Sequence, residues 1–200
     1  MYIETAFRPS LHGFPFPNLW DANTFGPIAS RGMCGGMVFA ALDAFEAGRT
    51  PALELPPTLP SRDSETHRRI RRYQRESVVT HAGWNLRRFA VLTYLPTPSP
   101  AGAGITTRQD LPPLFDALAA GKPVPLGLIS ALGLRHLVQN HQVLAWAGDF
   151  GEREVVVRVY DPNYPLRDDV VLEVGFDSGP VIEHAGSRRT AWRGFFIERR

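Results

Sequence analysis

The sequence predicts an α+β fold, and three observations carry that reading. The chain of 200 residues changes its apolar period near Lys122, from spacings of three and four to short runs and alternation. Helical patterns therefore fill the first half and strand patterns the second, instead of interleaving. Turn signals such as Gly148-Asp149-Phe150-Gly151 join successive strands closely, which favours antiparallel pairing. The expectation is one domain over 1–200, with a mainly helical lobe at 1–120 and a β-sheet lobe at 121–200 that share a cleft.

Each element follows from local chemistry. Residues 1–31 mix Phe, Pro, Gly and Asn, and prolines at 9, 15 and 17 predict an extended segment pinned by its aromatics. From Met37, good helix formers place Val38, Ala41, Leu42 and Phe45 on one stripe, and Gly48 is the natural left-handed stop. Prolines at 51 to 60 mark a surface connector. A helix over 61–79 has Ser61, Asp63 or Ser64 as its cap, and a second helix covers 84–94. Residues 96–104 read as a loop bordering the cleft. A short helix over 110–120 takes prolines in its first turn and Gly121 past its end. Strands are expected at 124–129, 142–147, 154–160, 170–174, 181–183 and 192–198.

Composition excludes several functions. A net charge of +2 is too small to imply nucleic acid, so Arg68, Arg69, Arg71, Arg72 and Arg75 read as a solvated helix face. No apolar run reaches the length of a membrane span. The first residues lack the charged and apolar regions of a secretory signal. The expected location is the cytoplasm, or outside it without a cleaved leader. One cysteine allows no internal disulfide and no Cys-rich zinc site, and no histidine spacing suggests a metal. Phosphate-binding glycine loops are absent too, so no cofactor is expected.

That one cysteine, Cys34, opens the helix that follows Gly32. Free N–H groups and the macrodipole favour an anion at a helix start, and Gly35 and Gly36 let another group approach the sulfur. Cys34 is thus a candidate nucleophile; the other reading is a small buried hydrophobe. His141 begins one strand, and Tyr160-Asp161-Pro162-Asn163 ends the next. A hairpin brings those ends together, so Asp161 or Asn163 becomes the candidate to orient the imidazole. Because Pro162 stops the strand, one of the two should face His141 while the other turns away. The carboxylate is favoured, since charge-assisted hydrogen bonds are stronger. His136, five residues before His141, reads as a surface residue, and His12, His67, His81 and His184 lack partners in sequence.

Gly-Met-Cys-Gly-Gly-Met (32–37) resembles the nucleophile motif of papain-like cysteine peptidases. His-Gln-Val-Leu-Ala-Trp-Ala-Gly (141–148), with Tyr-Asp-Pro-Asn (160–163), is similar to the His strand and Asp-Pro turn of their bacterial C39-like branch. The resemblance covers roughly 30–50 and 120–165. It implies a papain-like fold, with the Cys helix of a helical half packed on a mostly antiparallel sheet. It also implies a Cys34–His141–Asp161 triad that cleaves an amide or peptide bond of a peptide or protein substrate through an acyl-enzyme. A non-catalytic binding module of the same fold, or acyl transfer or deamidation of a protein side chain, are the alternatives. The family places an oxyanion-hole glutamine six residues before the cysteine, where this chain has Ile28. Asn18 and Asn23 are the nearest upstream amides to stand in, with the Cys34 N–H as second donor.

Overall fold

A computed structural model describes residues 1–20, 23–25, 28–30, 32–176 and 179–200, without the side chains of 23–25, 28–30, 80 and 81. Its elements run β1 (Tyr2–Glu4), α1 (Pro9–His12), β2 (Asn23–Phe25), β3 (Ile28–Ser30), α2 (Cys34–Glu46), α3 (Pro51–Glu54), α4 (Glu65–Tyr94) and α5 (Ala103–Ala119). They continue as β4 (Val124–Ile129), a 3₁₀ turn (Leu134–Gln139), β5 (His141–Phe150), β6 (Glu154–Tyr160), β7 (Val171–Gly175), β8 (Val181–Ala185), β9 (Arg188–Trp192) and β10 (Gly194–Ile197). Helices thus precede a sheet whose described pairings are all antiparallel, which is the α+β class.

The sheet order is β10-β4-β5-β6-β7-β8-β9, and β1 adds to β5 beyond the end of β4. From His141 to Gly148 every residue of β5 is buried, because both faces of this strand are covered. Val143 and Ala145 join Val155, Val157 and Val159 of β6 beneath Leu111, Leu114 and Leu118 of α5. On the other face, Leu144, Trp146 and Tyr160 pack with α2 and with Phe7, Phe14, Phe16 and Trp20. The N-terminal segment is pinned by its aromatics, as its composition suggests. It is not wholly extended, however: Pro9 occupies the first turn of α1, where its missing N–H costs nothing.

Other expectations are corrected in detail. Residues 35–42 of α2 are all buried, not one stripe alone, because α4, β5 and the N-terminal aromatics surround the helix. Ser64 is the cap of α4, its hydroxyl accepting the His67 N–H at 3.1 Å. The two helices expected at 61–79 and 84–94 form the single element α4, yet Ala82 (φ 57°) and Gly83 (φ 73°) interrupt its regular backbone between them. Arg68, Arg71, Arg72 and Arg75 are exposed, while Arg69 reaches Asp43 of α2 at 2.8 Å. The helix expected at 110–120 begins earlier, at Ala103, so Pro112 and Pro113 lie in its interior. Both are exposed, so the carbonyls they leave without an N–H partner face water. Four strands, β1, β2, β3 and β9, fall outside the expected set, each being only three to five residues long. Among the described residues no helix is long and apolar enough to cross a membrane.

Candidate active site

Cys34 is the first residue of α2 and is half-buried, which answers the reading of it as a core hydrophobe. Several residues hold the helix start. The Met33 N–H donates to Asn18 Oδ1 (2.6 Å), and the Gly36 N–H donates to Gln74 Oε1 (2.8 Å) on α4. Cys34 sits between them with an N–H that has no acceptor within the helix. Gly35 is required by contact: a Cβ there would lie 2.1 Å from Gln142 Oε1 and 2.5 Å from Ser77 Oγ.

The imidazole comes from the sheet. Register pairs Leu144 of β5 with Tyr160 of β6, so three residues further out His141 and Asn163 would stand opposite one another. Pro162 ends the ladder there, and the chain turns, with the Tyr164 N–H donating to Asp161 O. His141 Nε2 lies 2.8 Å from Asp161 Oδ1 and 3.2 Å from Asn163 Nδ2. The expectation that one of these residues turns away is therefore corrected: both reach the same nitrogen. Asp161 Oδ1 also accepts the Asn163 N–H at 2.7 Å, an Asx turn that brings both side chains to the ring. With Nε2 committed to Asp161, Nδ1 is left as the ring's proton acceptor.

Electrostatics favour a charged imidazole. Burial opposes the charge on His141, but the charges of Asp161 and Cys34, and hydrogen bonds to both, raise its pKa well above 6.5. Burial pushes Asp161 up, but the His141 charge and hydrogen bond, with hydrogen bonds from Glu183 and the Asn163 N–H, bring it below the ordinary carboxylate range. Glu183 on β8 stands behind Asp161. Burial, followed by the hydrogen bond and charge of Asp161, pushes its carboxyl up to about 8. Two adjacent carboxyls do not both ionise readily, and the imidazolium selects Asp161. Trp192 closes the assembly. Its ring lies nearly parallel to His141 (5.9 Å between centroids, 16°), and its Nε1–H donates to Glu183 Oε2 at 3.0 Å.

A cleft of about 770 Å³ opens over these groups. It is lined by Cys34, His141, Asn163 and Trp192, by Asn18, Leu19 and Trp20 from the N-terminal segment, and by 138–140 from the 3₁₀ turn. Among its described lining residues there is no Asp, Glu, Lys or Arg. Asn18 is placed by the same turn that carries Asp161 and Asn163, since its own N–H donates to Pro162 O at 3.0 Å. Its Oδ1 is used by Met33, so its Nδ2 is the end left to donate. The side chains of Asn23 and Ile28 lie outside the described residues.

The remaining histidines sit apart from the Cys34 pair. His136 is half-buried on the 3₁₀ turn and contacts Gln139 Oε1 at 2.8 Å. His12 Nδ1 accepts the Arg8 N–H, His67 meets Trp20 edge-on, and His184 pairs with Glu173. The His81 side chain is outside the described residues. No three of the described His, Cys, Asp and Glu residues gather to hold a metal ion. Sequence reasoning missed Trp192 of β9, Glu183 of β8, Gln142 beside His141 on β5, and Glu198 just past β10; only the burial-prone character of a Trp hinted at one of them. No protein-family model, curated protein or solved structure matches this chain.

Proposed function

We propose that this protein is a papain-like cysteine hydrolase that cleaves an amide or peptide bond. The observation that carries this reading is the convergence at one cleft of Cys34, at a helix start, with a buried His141 that is bound from behind by Asp161. His141 Nδ1 takes the Cys34 proton, and the thiolate attacks the substrate carbonyl carbon. The oxyanion that forms meets the Cys34 N–H and the Asn18 Nδ2–H, which take the place of the glutamine expected at position 28. The imidazolium then protonates the leaving amine, and water, deprotonated by the neutral imidazole, releases the acyl group. Asp161 holds the ring and favours its charged form; Asn163 bonds Asp161 through its backbone N–H and lines the cleft beside the ring. An uncharged cleft edged by Leu19, Trp20 and Trp192 suits a neutral segment of a peptide or protein.

Turnover on a peptide library tests the reading. Cys34→Ala should lower hydrolysis by about 10⁴-fold or more, with Tm within about 3 °C of the parent. A variant that kept turnover on the parent's substrates would remove Cys34 as the nucleophile.

A further inference from the structure

We infer that Gln142 and Glu198 form a protonation-dependent support for the Cys34 sulfur. Neutral Glu198 donates its carboxyl proton to the Gln142 carbonyl oxygen, and the Gln142 amide N–H then turns toward Sγ. The inference rests on the reading of Cys34 as a thiolate nucleophile and adds two positioning residues to it.

The arrangement lies beneath the nucleophile. Gln142 and Glu198 are each only 4% exposed. Gln142 Oε1 stands 3.9 Å from Cys34 Sγ, and Nε2 stands 2.8 and 2.9 Å from the two Glu198 oxygens. The amide is pressed against the helix start, where Gly35 leaves it no spare room. In this orientation the amide oxygen faces sulfur, which suits an S–H donor and an ionised Glu198. A thiolate reverses the demand, because two acceptors would then face each other. Half a turn about the last side-chain bond exchanges the amide ends, which have nearly the same shape. The oxygen then meets Glu198, and that contact is a hydrogen bond only if Glu198 carries a proton.

Its surroundings supply the proton. Glu198 forms no hydrogen bond to a cationic side chain among the described residues. Burial pushes its carboxyl up to about 8, against smaller effects of the Gln142 hydrogen bond and the His141 charge. Among the described residues none of the other charged groups on neighbouring elements bonds Glu198, although the buried Arg88 Nε has no hydrogen-bond partner. Arg88 lies over Trp84 and Phe196, Arg199 over Trp84, and Asp110 accepts the Ile197 N–H. Glu198 therefore keeps its proton at pH values where an ordinary carboxyl has lost it. The proton balance is simple: the Cys34 S–H bond breaks, an N–H bond forms at His141, and Glu198 keeps its own proton while the amide turns.

Two measurements on the full chain test this support. The first is the rate of Cys34 alkylation by iodoacetamide between pH 5.5 and 9.5. Gln142→Leu and Glu198→Ala should each slow it about tenfold at pH 6.5, the effect of one hydrogen bond to an ion. Glu198→Gln, a permanent donor to Gln142, should recover most of that loss and abolish the parent's change in rate near pH 8. The second is NMR of the parent, needing no variant to fold. The Glu198 carboxyl carbon should titrate near 8, with the Gln142 side-chain NH₂ resonances moving at the same midpoint. A Glu198 that titrates near the ordinary 4.5 would overturn the inference, as would a Gln142→Leu protein alkylated at the parent's rate at every pH. In the latter case the nucleophile reading survives, whereas a parent thiol unreactive at every pH overturns both.

Discussion

The two sides of the cleft are built by different means. On the sheet side, His141 and Asp161 are separated by a single hairpin, and strand register with one proline sets their approach. On the helix side, Cys34 is positioned by side chains from distant parts of the chain: Asn18 on Met33, Gln74 on Gly36, and Gln142 near the sulfur. Backbone pairing places His141, and isolated polar contacts place Cys34. Faults on the sheet side should therefore act on proton affinity, and faults on the helix side on geometry and stability.

The largest effect that sharpens this contrast is expected at Asp161. Asp161→Ala should slow Cys34 alkylation at pH 6.5 by tenfold or more, while Asn163→Ala should slow it by about threefold at most, since the Nε2 proton bonds the Asp161 carboxylate and the Asn163 amide only stands beside it. The reverse order would give the orienting role to Asn163. The pH signs are also fixed. His141 is raised on folding, so its contribution to stability is complete below about pH 6.5 and is lost as pH rises through its folded value. Asp161 is lowered, so its contribution is present above its unfolded value of about 4 and is lost as pH falls through the folded one. Asp161→Asn removes the acid-side contribution and weakens the other: thermal stability scanned between pH 2 and 9 should lose its dependence at the acid end and keep at the alkaline end only the part that Cys34 supplies.

On the helix side, Asn18→Ala should reduce kcat by about 10²-fold and leave the pH dependence of alkylation nearly as in the parent, as for a lost oxyanion donor. An equal loss in alkylation would make Asn18 a support for the helix start alone. The smallest effect on chemistry is expected for Gln74→Ala. It leaves the buried Gly36 N–H without a partner and should cost about 1–3 kcal/mol in denaturant unfolding, with turnover reduced less than threefold. No loss of stability would mean that water replaces the amide.

The same contrast governs what could be read from the chain. The Cys34 helix, its Gly48 stop, the hairpin and the meeting of His141 with Asp161 all depend on spacing within a few dozen residues, so local pattern reveals them. Trp192, Glu183 and Glu198 join the site through tertiary packing, and nothing near them in sequence says which buried carboxyl will stand by which histidine. Gln142 was in view beside His141 without any sign that it faces sulfur. The prolines inside α5 misled for a related reason: exposure relieves the missing hydrogen bonds, and exposure is set by the sheet that α5 covers.

The central claim is that His141 is held charged by Asp161 and Cys34 together. Its most direct measurement is the ¹⁵N NMR titration of the His141 ring before and after Cys34 is blocked as a neutral methyl disulfide. The account predicts an imidazolium that persists well above pH 6.5 in the free protein and loses its proton at lower pH once the sulfur is blocked. A ring that titrates near 6.5, unmoved by the block, would contradict it.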